Sequence, residues 1–167
     1  PSETNVYDSD GNLINMINDV PLIEDLPKGF MAEREGKRDF EWRDDKPATL
    51  VYVKALDGGD PEVEAEYRDE FFQLEAPYEG EGRSLLKVKN RGSRIQWGND
   101  EMAVATDFWW NTRNTKTYVF DPSEASEEPE IIFDRNYQDV YSDPGRFVTT
   151  KNEFGRSVLK LDGDAAN

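Results

Sequence analysis

Two stretches of the chain carry the same pattern, Phe40-Glu41-Trp42-Arg43-Asp44-Asp45 and Ile95-Gln96-Trp97-Gly98-Asn99-Asp100. Each is followed, in the same order, by an apolar, an aromatic and a final apolar run. These runs are Leu50–Val53, Phe71–Phe72 and Leu85–Val88 in the first unit and Met102–Ala105, Tyr118–Phe120 and Ile131–Phe133 in the second. Short β-branched and aromatic runs bounded by Gly, Pro, Asn and Asp indicate strands. The sequence therefore contains a unit of four antiparallel strands twice.

A pair of strand-like runs precedes the first unit, and another pair follows the second. The pairs are Val6–Tyr7 with Leu13–Ile14, and Phe147–Val148 with Val158–Leu161. Four-stranded repeats of about 40–55 residues are typical of β-propeller blades. We predict an all-β fold, a partial β-propeller of about two four-stranded antiparallel blades flanked by two half blades. The alternative is a twisted β-sandwich whose halves resemble each other by chance, which predicts no fixed strand order.

This arrangement divides the chain into six predicted segments. The third and fourth strands of a preceding blade occupy 1–17, an inter-blade loop 18–38, the two blades 39–90 and 91–135, a second inter-blade loop 136–145, and the first and second strands of a following blade 146–167. Trp42 and Trp97 hold equivalent positions, so both are predicted to lie in the core. Asp10-Gly11 predicts a two-residue hairpin turn in which both residues have positive φ.

The long connections are predicted to lie on one face of the blades. Those at 18–38, 57–69, 109–114 and 136–145 join second to third strands or one blade to the next, whereas 43–48, 98–101 and 152–156 are short turns on the opposite face. Function tends to lie in long loops on a rigid frame, so the long-loop face is the expected functional surface.

Composition excludes several classes of function. Among the 167 residues there are 20 Lys and Arg against 36 Asp and Glu, a formal net charge of −16, and neither His nor Cys. The missing residue types exclude disulfides, Cys/His zinc sites and any Ser-His-Asp triad within this chain. The negative charge opposes nucleic-acid binding. The longest apolar runs fall far short of the ~20 residues of a membrane span, so no span is expected.

Acidic residues suggest two further kinds of chemistry, calcium binding and glycoside hydrolysis, but no specific pattern supports either of them. Asp8–Gly11, Asp57–Asp60 and Asp162–Asp164 resemble calcium loops at first sight, but the EF-hand spacing is missing, and we interpret them as turns. Glycoside hydrolysis needs a spaced carboxylate pair, for which 36 acidic residues give no specific signal. No metal, cofactor or catalytic residue is predicted in this chain.

Several motifs, in order, resemble the propeller of prolyl oligopeptidase-family serine peptidases, nearest the glutamyl endopeptidase-like branch. They are Phe40–Leu50, Ala55–Asp60, Trp109–Thr117, Phe133–Arg135 and Tyr141–Gly145, and the resemblance extends from about Val6 to Leu161. It implies a non-catalytic segment that affects substrate access and specificity, and a C-terminal α/β-hydrolase domain elsewhere in the parent chain that carries the Ser-Asp-His triad. It also favours a periplasmic or extracellular parent. The Gly-x-Ser-x-Gly motif of such a nucleophile is missing here.

Three residues of the long-loop face are candidates for contact with a peptide substrate: Arg113, Trp109 and Trp110. A guanidinium can receive an acidic side chain through two hydrogen bonds. The alternative is that Arg113 pairs with Asp107 or Asp134 and fixes the loop, and that the two Trp side chains pack between blades.

Two predictions concern the chain as a whole. It is either part of a serine peptidase or a stand-alone β-rich binding or scaffolding domain. A reading frame that continues past Asn167 to a Gly-x-Ser-x-Gly motif would support the first, and a stop codon the second. An open propeller leaves unpaired strand edges, so we also predict self-association, by exchange of the hairpin at 5–17 or at 146–161.

Overall fold

The computed structural model describes residues 1–22, 26–124, 128–162 and 165–166. Their secondary structure consists of β-strands and a single turn of 3₁₀-helix at Val140–Ser142. The strands are β1 (Ser2–Tyr7), β2 (Leu13–Val20), β3 (Arg38–Trp42), β4 (Leu50–Ala55), β5 (Asp69–Leu74), β6 (Arg83–Val88), β7 (Arg91–Trp97), β8 (Ala103–Trp109), β9 (Asn114–Phe120), β10 (Glu130–Asn136), β11 (Thr149–Lys151), β12 (Ser157–Leu159), β13 (Leu161–Asp162) and β14 (Ala165–Ala166).

The strands form two four-stranded antiparallel sheets and three hairpins. Sheet B has the order β3-β4-β5-β6 and sheet C the order β7-β8-β9-β10, while β1 pairs with β2, β11 with β12 and β13 with β14. In each described sheet, neighbouring strands are also consecutive in the sequence, which is the strand order expected of propeller blades. The all-β prediction and the order of a hairpin, two four-stranded sheets and the β11–β12 hairpin are confirmed in this open, propeller-like arrangement. The predicted strand Val158–Leu161 ends at Leu159, because Leu161 pairs with Ala166 in the β13–β14 hairpin, which the sequence does not predict. The six segment boundaries remain a prediction.

The main apolar core lies between sheets B and C. In β4, β7, β8 and β9 alternate residues point into it, as the two-residue period of a strand requires, whereas Leu85 and Leu86 of β6 both contribute beside an irregularity in the β5–β6 pairing. Its members are Val51, Val53, Phe71, Leu85, Leu86 and Val88 from sheet B, and Ile95, Trp97, Ala103, Ala105, Tyr118 and Phe120 from sheet C. A second cluster, which includes Val6, Ile17, Leu50, Tyr52, Leu74 and Tyr78, joins the β1–β2 hairpin to sheet B.

The prediction that both repeated Trp side chains are buried is correct for Trp97 and wrong for Trp42. Trp97 is 4% exposed and lies under the guanidinium of Arg43, whose central carbon is 4.0 Å from the ring centroid. Trp42 is 45% exposed and meets only the edge of Tyr78 among the described aromatic rings. Arg43 comes from the β3–β4 turn of the preceding sheet, and the β1–β2 hairpin that precedes sheet B has no such turn. Burial at this position therefore depends on the neighbouring sheet.

Two local predictions are also corrected. The first hairpin has a three-residue loop closed by Asp8 N–H to the Asn12 carbonyl, and only Gly11 in it has positive φ. The Asp8 carboxylate accepts from the N–H groups of Asp10 and Asn12 and so favours this turn. The first strand of the last hairpin is at Thr149–Lys151 instead of Arg146–Thr149. Its pairing starts at the tight turn in which Asn152 accepts from the N–H of Phe154 and Arg156.

Candidate functional site

The long connections meet at one end of the two sheets and form a surface that we call the loop face, residues 26–37, 56–68, 110–113 and 137–148. Backbone hydrogen bonds join its parts. Glu33 N–H donates to the Gly59 carbonyl at 2.9 Å, and Tyr137 N–H donates to the Arg113 carbonyl at 2.8 Å. A Cβ at Gly59 would lie 1.9 Å from the Glu33 carbonyl oxygen, so this contact requires glycine. The loops are thus held against one another as one surface.

A buried ion cluster, Arg38, Asp57, Arg68, Asp69 and Arg91, lies beneath the loop face. Arg91 Nη1 donates to Asp57 at 2.8 Å and to Asp69 at 3.0 Å. Arg38 also pairs with Asp69, and Arg68 with Asp57 at 2.8 Å. Arg91 Nε donates to the Met31 carbonyl at 2.9 Å. Buried charges are stable only when paired in this way, so the cluster fixes the loops to both sheets.

The protonation of Asp69 reflects two opposing effects. Burial raises the pKa of its carboxyl, while Arg38, Arg91 and the N–H of Gly92 favour the charged form. Arg38 also pairs with the carboxylates of Asp39 and Glu33, the latter at 3.8 Å, so the three arginines contact four carboxylates in all. The cluster therefore holds the loops through paired charges and adds no net positive charge beneath the loop face.

The three predicted contact residues have different positions in the structure. Trp109 is 9% exposed and lies under the Arg68 guanidinium, 4.1 Å from its ring centroid. Trp110 is 41% exposed and stacks on Phe30 with ring centroids 5.7 Å apart. The guanidinium of Arg113 lies 3.9 Å from the Trp110 centroid and donates to the Trp110 carbonyl. Trp109 therefore supports the loop from below, and Trp110 with Arg113 forms its surface.

The alternative pairing of Arg113 with Asp107 or Asp134 is wrong. Asp107 is buried and accepts from Asn90 and from the Tyr118 hydroxyl, the latter at 2.6 Å. Asp134 pairs with Lys116 at 2.6 Å. Arg113 has positive φ, 57°, which turns its side chain back over Trp110. Within the described part of the chain, its guanidinium has no ion-pair partner.

Sequence reasoning missed the ion cluster. Asp57 was predicted as a turn residue, which it is, since its carboxylate accepts from Gly59 N–H at 3.0 Å. That the same carboxylate also binds two arginines depends on contacts between sheets that no local pattern encodes. Of the other acidic segments, Asp8–Gly11 is a turn, and Asp162–Asp164 lies partly outside the described residues.

Sequence reasoning also missed an ion pair at the opposite end of the sheets, where the buried Arg43 pairs with Asp45 at 2.6 Å.

Among the described residues, no group of three or more acidic side chains is placed to hold a metal ion. None of their helical segments is long and apolar enough to cross a bilayer.

Comparison with known proteins gives two curated relatives, both over 161 residues or 95% of this chain. One is a probable glutamyl endopeptidase, chloroplastic, from Oryza sativa subsp. japonica, at 37% identity. The other is the protein of the same name from Arabidopsis thaliana, also at 37% identity. This chain is similar to one segment of a glutamyl endopeptidase. The resemblance inferred from the motifs is confirmed, and the chain fits a segment of a peptidase.

The chain spans 17% of the length of each of these relatives. No family model matches it, and no solved structure gives a significant match.

Proposed function

We propose that this chain is a non-catalytic β-propeller segment of a serine peptidase, that it contributes to substrate access and specificity, and that the hydrolase domain lies outside it. The observation that carries the proposal is the similarity to glutamyl endopeptidases over 95% of the chain. The chain also contains no His, so a His-dependent hydrolytic step needs residues from elsewhere. The names of the relatives place those two proteins in the chloroplast, and a secreted or periplasmic parent for this chain stays a prediction.

The loop face is the proposed surface for substrate. Arg113 lies at its surface with its guanidinium stacked on Trp110, and stacking orients the planar group before a ligand arrives. A carboxylate is the group that such a guanidinium binds best, through two parallel hydrogen bonds. The relatives are named glutamyl endopeptidases, which agrees with a contact to an acidic side chain of a peptide. The buried ion cluster below holds the loops in place.

The test uses the full-length parent protein and two peptides that differ only by Glu or Gln at the cleavage site. Arg113→Gln is expected to lower kcat/KM for the Glu peptide about tenfold to hundredfold and to leave the Gln peptide nearly unchanged. Arg83→Gln is the matched control, because Arg83 is an exposed cation at the opposite end of the strands. The 167-residue chain alone serves as a blank and is expected to cleave neither peptide.

Two results would contradict the proposal. An equal loss on both peptides, with a lowered melting temperature, would show that Arg113 is only structural. Turnover by the 167-residue chain alone, abolished by a serine-directed inhibitor, would show that this segment is itself catalytic.

A further inference from the structure

The loop face carries a pair of aromatic side chains that come from the loops of two different sheets. Phe30 lies on the segment that precedes sheet B, and Trp110 lies between β8 and β9 of sheet C. Their rings stack with centroids 5.7 Å apart and an interplanar angle of 28°. Phe30 is 87% exposed and Trp110 is 41% exposed. Contiguous apolar surface of this kind is typical of a binding site.

The backbone on both sides of Phe30 is fixed, although its side chain is exposed. Met31 is buried, and its carbonyl accepts from Arg91 Nε at 2.9 Å. A Cβ at Gly29 would lie 3.3 Å from Pro61 Cγ, so the chain there is in close contact with the loop that follows β4. The ring of Phe30 is therefore held in position before a ligand arrives. Such preorganisation lowers the entropic cost of binding.

The aromatic pair is continuous with Arg113. The Arg113 guanidinium carbon lies 3.9 Å from the Trp110 ring centroid, so one indole ring contacts both Arg113 and Phe30. A cation and an exposed apolar ring are therefore neighbours on one surface. Ligand sites commonly combine apolar contact area with a few polar groups that fix the orientation of the ligand. Here the guanidinium is suited to an acidic side chain and the two rings to an apolar one.

We propose that Phe30 and Trp110 form an apolar subsite, which binds a large apolar side chain two residues away from the glutamate of a peptide substrate. This inference rests on the proposed function, in which Arg113 binds the glutamate. It adds a second requirement to the substrate and assigns that requirement mainly to Phe30, which is the more exposed of the two rings.

The spacing of side chains in an extended peptide determines which residue reaches the subsite. Side chains two residues apart lie on the same side of an extended chain, about 7 Å apart, and the side chain between them points away. The two contacts with Trp110 limit the separation of the Arg113 guanidinium and the Phe30 ring to about 10 Å, less than the ~13 Å between side chains four residues apart. The residue two positions from the glutamate is therefore the one that contacts Phe30.

The test uses the full-length parent protein and two glutamate peptides, with either Leu or Asn at both positions that are two residues from the glutamate. Leu and Asn are similar in size, but only Leu gains from burial of apolar area. A leucine that buries about half of its side chain on the two rings should raise kcat/KM about fourfold to tenfold over the Asn peptide.

Phe30→Ala is expected to remove this preference. It should lower kcat/KM for the Leu peptide to the value for the Asn peptide and leave the Asn peptide nearly unchanged. Phe30→Leu should keep part of the preference, because it restores apolar area. Since Phe30 is 87% exposed, the Ala variant should melt at nearly the same temperature as the unmodified parent.

Phe154→Ala is the matched control. It makes the same substitution at an exposed phenylalanine of the β11–β12 turn, beside the turns at the opposite end of the sheets. The preference for Leu should be unchanged in this variant. Equal kcat/KM values for the Leu and Asn peptides with the unmodified parent would overturn the subsite, as would a preference that survives Phe30→Ala. An equal loss on both peptides with a lowered melting temperature would show that another part of the parent covers the aromatic pair, and would also overturn it.

The Arg113→Gln variant separates this inference from the proposed function. If that variant loses the preference for Glu over Gln while the preference for Leu survives Phe30→Ala, the proposed function stands and the subsite is wrong. If Arg113→Gln acts equally on the Glu and Gln peptides, the proposed function is wrong, and the subsite, which is defined from the bound glutamate, falls with it.

Discussion

Replacement of Arg91 by Met tests whether the ion cluster supports the loop face. Arg91 is buried and makes four polar contacts, to the Met31 carbonyl, the Asp57 carboxylate, the Arg68 carbonyl and the Asp69 carboxylate, at 2.8–3.1 Å. Met fills a similar volume without charge. The variant therefore removes a positive charge from between two buried carboxylates without leaving a large cavity.

The expected cost can be estimated from the partners that remain. Removing one member of a buried ion pair typically destabilises a protein by 3–5 kcal/mol, because the other charge stays buried. Asp57 keeps Arg68 and Gly59 N–H, while Asp69 keeps Arg38 and Gly92 N–H. The loss should therefore fall at the lower end, about 3 kcal/mol. That is a large fraction of the 5–15 kcal/mol typical of a folded domain.

The cost should also depend on pH. Burial already raises the pKa of Asp69, and loss of Arg91 raises that pKa further. A carboxyl whose pKa is higher in the folded than in the unfolded protein binds more protons when folded. Such a carboxyl makes the folded protein less stable as the pH rises from its pKa in the unfolded protein to its pKa in the folded protein. The stability difference between the variant and the unmodified chain is therefore expected to be larger at pH 7 than at pH 4.

Urea unfolding followed by Trp fluorescence measures this difference, since the Arg91 guanidinium lies 5.9 Å from the Trp109 ring. Lys54→Met is the matched control. Its ion pair with Glu81, 2.8 Å long, is partly exposed, and such pairs contribute about 1 kcal/mol or less. Arg91→Lys keeps the charge and should fall between the two. A loss for Arg91→Met no greater than for Lys54→Met would refute the view that the cluster holds the fold together.

Two further predictions concern packing and association. Trp97→Ala should destabilise by about 3–5 kcal/mol and Trp42→Ala by less than half as much, measured by the same unfolding assay, because Trp42 is already partly in water. Equal losses would contradict the difference in burial. The chain is also expected to self-associate at micromolar concentration, since Tyr7, Leu13 and Met16 of the first hairpin are exposed. A strictly monomeric sedimentation profile would contradict this.

The repeated pattern around Trp42 and Trp97 was sufficient to predict the two four-stranded sheets. Strand period, turn residues and order along the chain are local properties, and the sheets here join strands that are consecutive in sequence. Local sequence information is then nearly sufficient to predict the sheets, because each strand pairs with the strand before or after it in the chain. The last hairpin was placed less well, since its strands are three residues long and its register is set by hydrogen bonds of the Asn152 side chain.

The candidate site was predicted only in part. The sequence indicated the long loop with Trp109, Trp110 and Arg113, but it could not distinguish the buried from the exposed Trp. It offered Asp107 and Asp134 as partners of Arg113, whereas Asp107 is turned inward to Tyr118. Which acidic residue a given arginine meets depends on how two sheets pack, and in a chain with 36 acidic residues the number of possible pairs is too large for spacing to decide.

The sequence by itself determined the all-β class, the order of the strands, the lack of His- and Cys-dependent chemistry in this chain and its resemblance to a peptidase segment. These follow from residue types and their periodicity along the chain. Only the tertiary structure decided that Trp42 is exposed while Trp97 is buried, that Asp57 and Asp69 share Arg91, and that Phe30 stacks on Trp110. The physical reason is that burial and charge pairing depend on the neighbouring sheet, and residues distant in sequence create that environment only when the sheets pack together.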